Sequence, residues 1–171
     1  MNKLFISICI SVLPAALLAQ SKKVKIYAYQ QQVLPGLRQT TIDEKGTVKE
    51  APPKMSANTF IYLQIPTGKN VDAKHVWVNG KMYDVKTSVP SLPVVMYNTT
   101  IGGKKPDTLV HATSNKVIQL SLAPANETFN PSSKVKKKIK LNELVLHTIE
   151  SGKNCYYYVD QMKRLDPVAL Q

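Results

Sequence analysis

Cysteine is nearly absent from this chain: Cys9 and Cys155 are its whole complement. Acid is scarce as well, with 11 Asp and Glu against 23 Lys and Arg. There are three histidines, His75, His111 and His147, and one tryptophan, Trp77. Each shortage closes off a class of protein. Two cysteines cannot build a disulfide scaffold, so the fold has to stand on an apolar core. The histidines lie far apart, with no His-x-His or Cys-x-x-Cys spacing, so no metal site and no cofactor is expected. No glycine-rich phosphate loop or nucleophile motif is present, so no catalytic residue is assigned.

Long apolar runs are also few, and the prominent one sits at the start. Leu4 to Leu18 follows Lys3 and ends in Leu17-Leu18-Ala19 before Gln20. That order of basic start, short apolar stretch and small residue reads as a secretory signal peptide. The stretch is short for a membrane span and runs straight into polar, Lys-rich sequence. The expectation is a secreted or periplasmic protein of a bacterial envelope, beginning near Gln20. Cys9 leaves with residues 1–19, so one thiol remains. Those residues contain Lys3 and no acid, so the charge falls from +12 to 12 − 1 = +11. Such a charge draws a chain toward anionic surfaces.

What is present is alternation. Lys23 to Gln31 places Val24, Ile26 and Ala28 on one face, and Lys25, Tyr27 and Tyr29 on the other. Thr59 to Ile65 sets Ile61, Leu63 and Ile65 against Phe60, Tyr62 and Gln64. Leu37–Ile42 and Thr47–Lys49 suit a small hairpin, and the Pro52-Pro53 pair marks a loop. Asn79-Gly80 between alternating segments predicts a two-residue type I′ turn, since both central residues need positive φ. That turn sets Val78 opposite Lys81, Trp77 opposite Met82, Val76 opposite Tyr83 and His75 opposite Asp84. Ser151-Gly152 joins a last pair of strands. Leu144, Leu146, Cys155, Tyr157 and Val159 share one face there, and Val145, His147, Ile149, Tyr156 and Tyr158 the other. The pattern predicts an all-β fold: an antiparallel β-sandwich of immunoglobulin-like architecture, with about eight or nine strands. Residues 20–164 read as one domain and 165–171, with Pro167, as a loose tail.

Candidate sites follow from the polar and aromatic residues. Lys25, Tyr27, Tyr29, Phe60, Tyr62, Tyr156 and Tyr158 are expected to form an exposed sheet face that binds a protein or polysaccharide of the envelope. The plainer alternative is cross-strand aromatic pairing or cover by a loop. Lys134, Lys136, Lys137, Lys138 and Lys140 form a candidate anion-binding run. The plainer alternative is an edge strand or connector kept from aggregating by lysine. No aromatics interleave these lysines, so nucleic acid is not an expected partner. His75 with Asp84 is the one pair that local geometry brings together. The alternative function, a small secreted hydrolase-like enzyme, would use it as an oriented base. Otherwise it is a cross-strand polar pair.

Overall fold

The computed structural model describes residues 23–34, 40–42, 48–50, 56–97, 106–126 and 128–169. The expected signal peptide and the expected Pro52-Pro53 loop lie outside them. Eight strands form one mixed sheet. In sheet order they are β11 (Lys153–Val159), β10 (Leu144–Glu150), β5 (Val71–Val78), β6 (Lys81–Ser88), β9 (Lys116–Pro124), β4 (Ser56–Ile65), β1 (Lys25–Leu34) and β12 (Lys163–Ala169). Two small hairpins stand apart, β2 (Thr40–Ile42) with β3 (Val48–Glu50) and β7 (Val94–Met96) with β8 (Asp107–Val110). One helix, α1, spans Ser133–Leu141.

The connectivity forces this sheet to curl. β11 and β12 are its two edges, yet only Asp160, Gln161 and Met162 join them. Eight flat strands would hold those edges roughly 34 Å apart. The link reaches roughly 14 Å at most. The edges therefore converge at that end, and Glu143 ties the convergence. Its N–H donates to Asp160 O at 3.2 Å, and one carboxylate oxygen accepts Met162 N–H at 2.8 Å. The other oxygen takes the Arg164 guanidinium.

The inner face of the curl is the main core. Ala28, Ile61, Leu63, Ile65, Val76, Val78, Ile118, Leu120, Leu144 and Leu146 pack together from five strands. The expected aliphatic faces of β1 and β4 line this core, and β10, apolar on both faces in sequence, is buried on both, but these strands share one curled sheet. The expectation of a two-sheet, immunoglobulin-like sandwich is thus met only as far as the all-β class. Period-2 patterning marks a buried face and is silent on which strands are neighbours.

Two further expectations are corrected. Residues 165–169, expected to belong to a loose tail over 165–171, are part of strand β12 instead. This strand runs parallel to β1, with Tyr29 opposite Lys163 and Gln31 opposite Leu165. Pro167 is tolerated because β12 is an edge and its register slips there. The lysine run is neither edge strand nor connector but α1. Val135, Ile139 and Leu141 fit a period of two, but Val135 and Ile139 also lie four apart on one helical stripe. Docking decides: Val135 is buried, whereas Leu141 is exposed.

Both hairpin registers follow the turn chemistry. Asn79 and Gly80 have φ of 49° and 81°, and the pairs from Val78–Lys81 to His75–Asp84 are as expected. Ser151 and Gly152 have φ of 48° and 77°, closing Glu150 against Lys153.

Candidate functional site

The outer face of the sheet is covered in two places. Over β1, β4 and β9 lies the β7–β8 hairpin. Tyr29 and Tyr62 are 7% and 3% exposed and pack with Leu109, Val110 and Val117. Tyr27 and Phe60 are partly buried against the same cluster. Tyr29 O–H donates to Leu109 O of β8. Tyr27 O–H donates to Gln64 Oε1 at 2.7 Å, and Gln64 Nε2 in turn donates to Thr113 Oγ1 at 3.1 Å. Burial pushes the Tyr29 and Tyr62 phenols above their ordinary range, and for Tyr29 the neighbouring Tyr27, Tyr62 and Asp107 add to the rise. The expected exposed aromatic face is therefore a second core. Lys25 alone of its first five residues is exposed. Tyr156 and Tyr158 do not join it either: Tyr156 stacks on His147, and Tyr158 lies beneath Lys138.

Over β5, β10 and β11 lie Phe129 and α1. A stack of rings fills this half. Phe129 meets His75 at 5.0 Å and His147 at 4.9 Å between centroids. His147 stacks on Tyr156 at 4.9 Å and on His75 at 5.7 Å. Trp77 tilts against Phe129 at 6.0 Å. Strand pairing puts His75 directly across from His147, with a register shift just beyond.

The expected His75–Asp84 pair forms, with Nδ1 3.2 Å from the carboxylate. A carboxylate only accepts, so Nδ1 carries the proton. The second oxygen of Asp84 accepts the N–H of Asn126 at 2.9 Å. Asp84 thus pins the covering segment onto β6. The other neighbours of the His75 ring are the rings of Trp77, Phe129 and His147. His147 is 3% exposed, and its Nε2–H donates to Asn154 Oδ1 at 2.9 Å. Its Nδ1 is buried without a partner. His111 is exposed beyond β8 and apart from the stack. Among the described residues no group of three His, Cys, Asp or Glu side chains gathers as a metal would need.

α1 carries the charge. Lys134, Lys136, Lys137, Lys138 and Lys140 are all exposed. Lys134 with Lys138, and Lys136 with Lys140, are like-charge neighbours four apart, each costing about 0.2–0.5 kcal/mol. Ser132 offers no side-chain cap, and the first turn has no acid. The helix is held instead by buried Val135 and by Asn142, whose backbone N–H and Nδ2 both donate to Lys138 O. The Lys138 ammonium lies 5.9 Å from the Tyr158 ring, so the lysine helix borders edge strand β11. Below its end a groove of about 410 Å³ runs between Leu141, Glu143, Asp160 and the β5–β6 turn. A second groove of about 420 Å³, lined by Thr59, Phe60, Tyr83 and Ser121 among others, has no charged group in its wall.

The ring stack was only half visible in sequence. The Asn-Gly register foretells His75 beside Asp84, but Phe129 sits in a loop and His147 reaches His75 only because β10 pairs with β5. No family model, no curated protein and no solved structure matches this chain.

Proposed function

We propose that this chain is an exported, non-catalytic binding component of a bacterial envelope, secreted or periplasmic, that recognises an acidic protein or polysaccharide. Its recognition surface is the lysine face of α1 with the neighbouring edge of β11. Export rests on the signal-like residues 1–19. Recognition rests on one observation: five lysines project from a single short helix, and no ion pair among the described residues neutralises them. A helix that repels itself and lacks a side-chain N-cap is stabilised by an anionic partner laid along it. This reading replaces the aromatic face of β1 and β4, which is covered.

The test compares the purified chain with the variant K134E/K137E on a sulfated-polysaccharide column and a polyglutamate column. The wild type is retained at low salt and released at high salt, since exposed charges are screened within about 10 Å at 0.1 M. The variant should leave both columns at clearly lower salt. Equal elution of the two proteins would remove α1 from the recognition surface.

A further inference from the structure

The two edges of the curled sheet are treated differently. β12 reads Lys-Arg-Leu-Asp-Pro-Val-Ala, with Lys163, Arg164, Asp166 and Pro167 set along it. Charges and proline of this kind stop an edge from recruiting another strand. β11 reads Lys-Asn-Cys-Tyr-Tyr-Tyr-Val. After Lys153 it has no charge, no proline and no register shift against β10. Among the described residues no strand pairs with its outer side.

The turn identifies which backbone groups are free. Its closing bond joins Glu150 and Lys153, so hydrogen-bonded pairs fall at Lys153, Cys155, Tyr157 and Val159 by alternation. The N–H and C=O groups of Asn154, Tyr156 and Tyr158 therefore point outward. The side chains of these same residues share the outer face with α1. Tyr158 is 42% exposed there, beneath Lys138. The inner-face residues Cys155, Tyr157 and Val159 are half-buried at the rim of the main core.

We propose that β11 accepts an extended acidic peptide segment as a ninth strand. The segment carries carboxylates at alternate positions on its outer side, facing the lysines of α1. It carries apolar side chains between them, extending the core beside Tyr157 and Val159. Main-chain bonds to Asn154, Tyr156 and Tyr158 supply affinity, and the alternation supplies specificity. Charge selects the partner: pairing two copies of β11 would bring two sets of α1 lysines together on one face, whereas an acidic strand neutralises one set. This inference rests on α1 as the recognition surface and adds the main-chain ladder to it.

The probe is a fluorescent peptide alternating Glu with Val and Thr. Its control is the same peptide N-methylated at alternate residues, with charge unchanged and the ladder blocked. Fluorescence anisotropy on the wild-type chain should show the control binding about tenfold weaker, the loss of one or two main-chain bonds. Y158P removes an outward N–H without touching a bond to β10. It should weaken the plain peptide about tenfold and the N-methylated control far less, because the ladder is already blocked there. If Y158P fails to fold, the two peptides on the wild type still decide. Equal binding of the two peptides overturns the ladder while leaving charge recognition standing. No peptide binding with retention on the sulfated polysaccharide overturns it in favour of a polysaccharide. Loss of both overturns the proposed function as well. A concentration-dependent dimer without peptide, abolished by Y158P, would assign the edge to a second copy instead.

Discussion

On one half of the outer face, Tyr29 and Tyr62 lie under the β7–β8 hairpin. On the other, His75 and His147 lie under Phe129 and the approach to α1. In the tyrosine half the polar tip of Tyr29 is bonded to the backbone of the cover, and Tyr27 reaches it through Gln64 and Thr113. In the histidine half Asp84 holds the cover by one backbone N–H, and a buried imidazole nitrogen goes unmet. A hairpin covers the first, a loop and a self-repelling helix the second. The tyrosine half is thus built as core. The histidine half is built as an attachment whose outer surface carries the exposed lysines of α1.

The largest test of that contrast removes each cover in turn. L109A deletes a 2% exposed side chain from beneath the β7–β8 hairpin and should cost about 2–5 kcal/mol in denaturant unfolding. Phe129 is only half-buried, so F129A should cost less. Trp77 is the only tryptophan and touches Phe129, so native emission reports the histidine half alone. F129A should shift it to longer wavelength, and L109A should leave it in place. A red shift in native L109A would show the two halves to be one cooperative unit.

Alkali gives a smaller, signed effect. Four tyrosines hold their protons more tightly in the fold than in the unfolded chain: Tyr29, Tyr62 and Tyr156 by burial, and Tyr157 by burial and its bond to Glu150. A raised folded pKa means that the associated stability is full below about pH 10 and falls as pH climbs past it. Two of the four belong to the tyrosine half and one, Tyr156, to the histidine half. Melting temperature measured from pH 8 to 12 should therefore fall least steeply in Y29F/Y62F, with Y156F closer to wild type. A flatter profile for Y156F than for the double variant would reverse the assignment of the firmer half.

The difference between the halves also governs what could be read in advance. The strand faces, both two-residue turns and the His75–Asp84 pair follow from alternation and from Asn-Gly and Ser-Gly, which act within a few residues. Cover does not. Tyr27 and Tyr62 look like a surface platform because nothing local announces that Leu109 and Val110, more than forty residues on, fold over them. His147 and His75 are 72 positions apart and meet only through the β10–β5 pairing. The curl itself comes from a three-residue link between edges, and a link constrains geometry only once strand order is known. α1 is legible as charge but not as helix, because Val135, Ile139 and Leu141 satisfy both periods.

The smallest effect separates the halves by sign. Y29F removes the hydroxyl bonded to Leu109 O and strands a buried carbonyl, so it should cost about 1 kcal/mol. H147F keeps a flat ring between Phe129, His75 and Tyr156 and removes the unmet Nδ1. It also releases Asn154 Oδ1, but Asn154 is exposed and water takes the place of the imidazole. The lost bond and the lost orphan nearly cancel, so H147F should lie within about 1 kcal/mol of wild type, on the stabilising side. A buried imidazole that can be replaced without loss is not there to hold the fold. If H147F instead destabilises as much as Y29F, the stack depends on the imidazole itself, and the histidine half is core in the same sense as its neighbour.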